Sequence, residues 1–395
     1  MQISIILSLI KRIQCGPGLF RFLLAFIVVI YHTVGAFPLG HYAVYVFFML
    51  SGYWIFKMFE EKYSTYKTSY WVYLKSRLMR VIFVYWMVLI IGIIVFFATT
   101  YLTQNYSWQQ FSLTEIFLKN IFIFGINQSP IMFIVPAWSL EVEIQFYVLV
   151  PLLVLIRKQV SIYGLILGSI ALLIAYLTLI PLENRFSNIA LYLPFFLVGA
   201  WLYYAQKVFS AKAANIGLLI GVFIIAVNFL VPALRPLFLV KTEPLFGAAH
   251  YQDQMNMVLA LLTIPYLSRN ITQKITDKFD GSWSSMSFIL YLLHWPLLRV
   301  YTTILQFNGG QYHTIILALY ILICVGLSYL LSISVDQYFE SKRRAWLKQQ
   351  PKAIAPLPVL VPEIENTSNN DLNELPLPEM AVVYSENKHQ QNKRN

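Results

Sequence analysis

The stretch LFRFLLAFIVVIYHTVGAF, Leu19–Phe37, carries two ionisable groups inside an otherwise apolar run, Arg21 near its start and His32 near its end. Read as an α-helix, their separation of eleven residues is almost three full turns. Both side chains then fall on one face, about 16 Å apart along the axis. The run is also long enough to cross a bilayer, which takes about 20 mostly apolar residues. An ionisable group inside such a span is costly and marks a functional position. Two on one face mark a path along that face.

Composition places the whole chain in a membrane. Apolar and aromatic residues make up 58% of it and charged residues only 12%, with a mean hydropathy of +0.63. A soluble protein of this length could not cover its surface with so few charges. Apolar runs follow one another at 19–37, 42–59, 81–101, 135–156, 163–180, 189–205, 214–232, 255–267, 284–305 and 314–335. The expectation is an all-α, polytopic membrane helix bundle of about ten transmembrane helices, with no fixed repeat that would indicate a solenoid. The eighth run is shortened by Pro265 and a polar approach through Gln252–Gln254. The stretch Ile116–Ile134, broken by Lys119, Asn120, Gly125, Asn127 and Pro130, reads as a re-entrant or surface-lying segment.

Charge asymmetry supports that count. With the N-terminus in the cytoplasm, the inner loops receive Lys11, Arg12, Lys57, Lys62, Lys67, Lys75, Arg77, Arg80, Arg157, Lys158, Lys207, Lys212, Arg269, Lys274 and Lys278. The outer loops receive Lys119, Arg185, Arg235 and Lys241. This is the bias of the positive-inside rule, with both termini cytoplasmic. The net charge of +11 therefore reports topology and contact with inner-leaflet lipids rather than nucleic-acid binding. Three regions follow: an interfacial N-terminal segment 1–18, in which Met1–Ile10 reads as a short helix on the inner surface; a transmembrane domain 19–336; and a tail 337–395, basic and then polar, with the composition of a disordered cytoplasmic segment. Cys15 and Cys324 are far apart on apolar elements, and no metal-ligand spacing is present.

Four further places put polar groups where lipid is expected. Arg77 and Arg80 are three residues apart, share a helix face and could jointly grip an anion such as a phosphate, or serve as a topology anchor. In Trp138–Tyr147, Glu141 and Glu143 point about 200° apart and cannot serve one site equally. Glu143 goes with Ser139 and Tyr147; an interfacial aromatic belt accounts for Trp138 and a wetted Glu141 but not for Glu143. In Tyr291–Pro296, Pro296 frees the carbonyl of Leu292 and kinks the helix near His294. Gly40–Gly52 mixes aromatics with small residues that favour close helix packing, with His41 at the outer mouth or in an exposed loop. His250, His313 and His389 fall in outer loops and the tail and are given no role.

In this order, the segments resemble the integral-membrane acyltransferase 3 family over about Arg21–Glu340. Arg21 and His32 match its Arg-x10-His motif, Val44–Gly52 its FF-x-x-SG pattern, and Arg77–Arg80 with Tyr85 its Arg-x-x-Arg segment. Trp138–Tyr147 followed by Pro151 matches WSL-x-x-E-x-x-FY, the most specific of the set, and Tyr291–Pro296 matches YL-x-H-x-P. Phe83 stands where a proline is usual and Tyr45 where a polar or acidic residue is common. Either change bears on the shape of an acceptor pocket.

The resemblance implies transfer of an acyl group, usually acetyl from cytoplasmic acetyl-CoA as co-substrate and without a metal, to a hydroxyl of a carbohydrate. O-antigen, exopolysaccharide and other glycoconjugates are the usual acceptors, in a bacterial cytoplasmic (inner) membrane. Handover to an extracytoplasmic hydrolase-like domain, which some members carry, would here need another protein, because the tail is too short and polar to be one. Under this reading Arg21, Arg77 and Arg80 hold the CoA phosphates, and the extended pantetheine arm matches the reach to His32. His32 then acts as general base with its tautomer fixed by Glu143, or as a transient acyl relay. Trp138, Ser139 and His294 are the expected acceptor-binding residues. A transporter or flippase is the rival reading, since it too would line a path with His, Glu and Arg; no internal duplication favours it.

Overall fold

The computed structural model describes residues 16–34, 38–231, 248–273 and 279–353. Among these, the apolar runs fold as helices and no strand forms. They are α1 Pro17–Val34, α2 Gly40–Glu61, α3 Ser69–Thr103, α4 Leu113–Phe122, α5 Trp138–Arg157, α6 Ile162–Leu179, α7 Ile189–Ala205, α8 Ala211–Leu230, α9 Ala248–Leu262, α10 Ile264–Thr272, α11 Asp280–Phe307, α12 His313–Leu331 and α13 Gln337–Lys348. Eight of the helical stretches are long and apolar enough to cross a membrane, and α7, at 17 residues, is apolar but shorter. The protein is an all-α, multi-pass membrane bundle.

Two helices differ from their sequence reading. The third expected span, 81–101, is part of a single helix of 35 residues, which carries Lys75, Arg77 and Arg80 on its first turns, where the shared face of Arg77 and Arg80 had placed them. At 1.5 Å per residue α3 is about 50 Å long, well beyond the hydrocarbon thickness of a bilayer. The eighth run breaks at Thr263, whose hydroxyl bonds back to Leu259, and α10 restarts with Pro265 in its first turn, where a missing N–H costs nothing.

The stretch Ile116–Ile134 is a short amphipathic helix and a folded loop. Asn120 is its hub: its amide donates to Ile116 and Ile131, its side-chain oxygen accepts from Phe133 N–H, and its carbonyl accepts from Tyr85.

Helix pairing fixes relative direction. Along α1 and α11, Gly18 meets Asp280, Arg21 meets Ser284 and His32 meets His294 and Trp295. Contacts that advance together mean parallel helices, as expected of two odd-numbered spans. In α2 and α7, Tyr45 stacks on Phe195, Phe48 on Phe196, and Phe56 meets Tyr204, again parallel. The α2–α7 contact is close because both partners offer glycine. A Cβ on Gly52 would collide with the Phe196 carbonyl, and one on Gly199 with that of Met49. Small residues of this kind let membrane helices touch backbone to backbone, where packing rather than water exclusion drives association. By contrast, α11 and α12 form an antiparallel hairpin, Tyr301 bonding His313 and Tyr320 donating to the His294 carbonyl.

Beyond α12, α13 returns to the start of α3. Arg343 donates to Ser76, Phe339 stacks on Phe83, and Lys75 lies over Trp346. The expected surface helix Met1–Ile10, Cys15, the last residues of the first run (35–37), Arg235, Lys241, Lys274, Lys278 and the tail from residue 354 lie outside the described residues.

Candidate active site

The site has two ends, both threaded by α1. At the first, α1 begins with Pro17, and the N–H of Gly18 donates to Asp280 Oδ1 at 2.8 Å. A carboxylate at a helix N-terminus satisfies an orphan donor and complements the helix dipole. Here the cap comes from another helix, so it also sets the register of α1 against α11. The close approach needs glycine: a Cβ at Gly18 would meet the Asp280 backbone carbonyl.

One turn on, Arg21 reaches Ser284 Oγ at 3.5 Å and lies within the fields of Arg80, Arg77, Glu143 and Tyr147. Arg77 is 8% exposed, its guanidinium 5.7 Å from the centroid of Tyr63, and its Nε has no hydrogen-bond partner. Arg80 is exposed. Guanidinium groups from two helices thus come together, with Glu143 in the field of Arg21 and Glu340 in that of Arg80. Each brings several N–H donors in a rigid fork suited to phosphate oxygens, and the buried, unpaired Nε of Arg77 is a donor in want of an acceptor. The residues present fit the phosphates of a coenzyme A thioester.

The second end lies about 16 Å further along α1. The His32 ring is stacked on His294, with centroids 5.4 Å apart, and meets Trp295 edge-on at 5.2 Å. His294 is fully buried. Its Nδ1 lies 3.2 Å from the Leu290 carbonyl, an acceptor only, so Nδ1 carries the proton. Its Nε2 is consequently a lone pair, and it has no partner. Next to these rings, Tyr31 and His41 are 6.4 Å apart, His41 and Trp138 6.1 Å, and Trp138 and Tyr192 5.4 Å. His41 Nδ1 is hydrogen-bonded to Asp253 Oδ1.

Sequence reasoning paired Glu143 with His32; the structure pairs it with Ser51, whose hydroxyl donates to Glu143 at 2.9 Å. Glu143 lies five residues along α5 from Trp138, about 7.5 Å deeper, which brings it level with the middle of α2 and within the field of Arg21. His32 meets aromatic rings instead. Ser139 is buried, bonded to the Pro136 carbonyl at 3.0 Å and to the Tyr291 hydroxyl at 2.7 Å. It therefore ties α5 to α11 one turn from His294. Glu141 is not in water: it is 6% exposed and accepts from Gly125 N–H, Asn127 N–H and the Asn127 amide.

Three features escaped the sequence. Asp280 looked like an ordinary residue before an apolar run; the sequence signal available was Gly16-Pro-Gly18, a helix start lacking a capping side chain of its own. Asp253 was absorbed into the polar approach to the eighth run. Ser51 was read only as a small packing residue. An apolar groove of about 310 Å³ between Trp71 and Trp86, with Lys75 its only charged lining residue, lies outside the site.

A family model described as an acyltransferase domain, of the acyltransferase 3 type, matches residues 16–335. Neither curated proteins nor solved structures gave a match.

Proposed function

Because this chain belongs to the acyltransferase 3 family and is a membrane acyltransferase, we propose that it moves an acetyl group from cytoplasmic acetyl-CoA to a hydroxyl of a carbohydrate on the far side of a bacterial inner membrane. The observation that carries this reading is the alignment of Arg21 and His32 on one unbroken helix, with a phosphate-grade cluster at one end and an imidazole among aromatic rings at the other.

Arg21, Arg77 and Arg80 hold the phosphates of the donor as charge-assisted hydrogen bonds. Glu143, bonded to Ser51, is the counter-charge that keeps Arg21 oriented when no donor is bound. The pantetheine arm runs along α1 and presents its thioester to His32. His32 is the group that meets the thioester carbonyl, either as general base on the incoming hydroxyl or as the nucleophile that takes the acyl group. Trp138 and its neighbour Tyr192 supply flat apolar faces for the C–H face of a sugar ring, and His294 backs His32. An acceptor such as O-antigen, exopolysaccharide or another glycoconjugate fits this end better than a small charged metabolite, since the walls are aromatic.

The test is His32→Ala in cells that make the native glycan. Acetylation, read by mass spectrometry of the glycan as the mass of one acetyl group, should disappear while protein abundance in the membrane is unchanged. Wild-type acetylation in that variant refutes the reading.

A further inference from the structure

Of the three histidines at the acceptor end, His32 and His41 are equipped differently. His32 touches rings. His41 is bonded through Nδ1 to Asp253, a carboxylate contributed by α9. A carboxylate on one imidazole nitrogen fixes the tautomer and leaves the other nitrogen as a base, with the resulting imidazolium stabilised. We propose that His41 and Asp253 form the acid–base dyad that activates the acceptor hydroxyl, leaving His32 to take the acyl group from the thioester; this rests on the reading of the preceding subsection.

The surroundings suit that role. The His41 and Asp253 side chains are 39% and 42% exposed, so the dyad is open to an incoming molecule. The Tyr31 ring contacts both imidazoles, its centroid 4.8 Å from that of His32 and 6.4 Å from that of His41. Trp138, the aromatic face offered to a sugar, is 6.1 Å from His41. A hydroxyl held on Trp138 therefore lies beside His41, and Tyr31, in contact with both imidazoles, links that position to His32.

Asp253 is not needed to fasten α9 to α2. That attachment is made elsewhere: Tyr42 N–H donates to Asn256 Oδ1 at 3.0 Å, the Asn256 amide donates to the Pro38 carbonyl at 2.9 Å, and the Tyr42 hydroxyl meets Thr263 Oγ1 at 3.1 Å. These bonds position Asp253, one turn before Asn256, beside His41.

In the first step a His32 nitrogen bonds to the thioester carbonyl carbon, the carbon–sulfur bond breaks, and the thiolate leaves with the proton that His32 loses. In the second, the acceptor hydroxyl oxygen bonds to the acyl carbon as the carbon–nitrogen bond to His32 breaks. The hydroxyl proton passes to His41 Nε2 and returns to the vacated His32 nitrogen. No electrons change hands, and no further reactant is required. Asp253 acts through His41 and is a positioning residue.

The experiment follows both steps with the full-length protein. Acetyl carried by the purified protein is measured by rapid filtration after mixing with radiolabelled acetyl-CoA, and glycan acetylation is measured in cells. His41→Gln should lower glycan acetylation about a hundred-fold, the order of a general base's contribution, while label on the protein rises above wild type because it can no longer be passed on. Asp253→Asn should do the same less severely, and Asp253→Glu should restore part of the transfer. His32→Ala should abolish label and acetylation alike. Wild-type acetylation by His41→Gln, or loss of acetylation without accumulated label, overturns the dyad. Acetylation persisting in His32→Ala overturns the underlying reading instead, so the two failures are distinguishable.

Discussion

His294 presents an unpaired Nε2 beside His32, its ring stacked 5.4 Å away at 25° to parallel. The arrangement is held from below by the Leu290 carbonyl on Nδ1 and from α12 by Tyr320, which donates to the His294 backbone carbonyl at 3.1 Å. A fully buried polar nitrogen without a partner costs about 1–3 kcal/mol, and here that uncompensated lone pair stands beside the ring proposed to react.

His294→Leu is close to histidine in volume and removes the lone pair. Relief of the unsatisfied atom should leave thermal stability in detergent equal to or above wild type, whereas glycan acetylation should fall about a hundred-fold or more, the range for a lost acid–base contact. A stable variant with normal acetylation would return His294 to packing.

Arg77 and Arg80 should separate by their burial. Arg80 is exposed and free to meet a ligand, while Arg77 is buried against Tyr63 within the Ser76–Arg343 network. Arg80→Ala should raise KM for acetyl-CoA about ten- to a hundred-fold, the worth of one hydrogen bond to a charged group, with kcat largely kept and no change in melting temperature. Its preference for acetyl-CoA over the 3′-dephospho analogue should also shrink if that phosphate is its partner. Arg77→Ala should both raise KM and lower stability. Unchanged donor dependence in both variants would leave the arginines as a topology anchor.

How far the sequence carried the reading follows from what periodicity encodes. Hydrophobic length and charge bias identify spans and parity, and the parallel pairing of α1 with α11 and of α2 with α7 agrees with that parity. Facing is also legible within one helix: Arg21 and His32 do share a side of α1. Depth between helices is not. Nothing in Trp138–Tyr147 says that Glu143 lies level with Ser51 rather than with His32, because the vertical offset of α5 against α1 is set by packing of residues far apart in sequence. Partners supplied across helices were invisible for the same reason, as Asp280 on Gly18 and Asp253 on His41 illustrate. Glu141 was misjudged because a carboxylate beside an aromatic belt looks wetted, whereas the loop 123–128 folds over it and offers it three N–H donors.

Gly52 tests the packing directly. An added methyl would strike the Phe196 carbonyl, and α7 cannot yield without losing its reciprocal contact at Gly199. Gly52→Ala should destabilise by about 1–3 kcal/mol, the cost of overpacking a tight core, and lower the melting temperature measured by size-exclusion chromatography after heating. Because Ser51 is adjacent, activity should drop with stability. Wild-type melting would show that α2 and α7 are not in backbone contact.

The two carboxylates of α5 give the clearest contrast. Glu141 accepts three hydrogen bonds from the 123–128 loop and is buried, so removing its charge weakens a structural clasp. Glu143 is partly exposed, bonded to Ser51, and faces Arg21. Glu141→Gln keeps the shape but replaces one acceptor oxygen by a donor against N–H groups already pointing inward. It should cost about 1–3 kcal/mol, the penalty for unpairing buried polar atoms, and expose the loop to proteolysis, while the protein that remains folded keeps its KM for acetyl-CoA. Glu143→Gln should keep the melting temperature and the Ser51 bond but leave Arg21 without its counter-charge. Donor binding should then tighten, since an anion gains in a more positive site, and turnover should fall as donor and product CoA are held longer. A lowered KM together with a lowered kcat in Glu143→Gln, against an unchanged KM with reduced folded yield in Glu141→Gln, is the expected pattern. The reverse assignment would move the functional carboxylate to Glu141 and break the link drawn between Glu143 and Arg21.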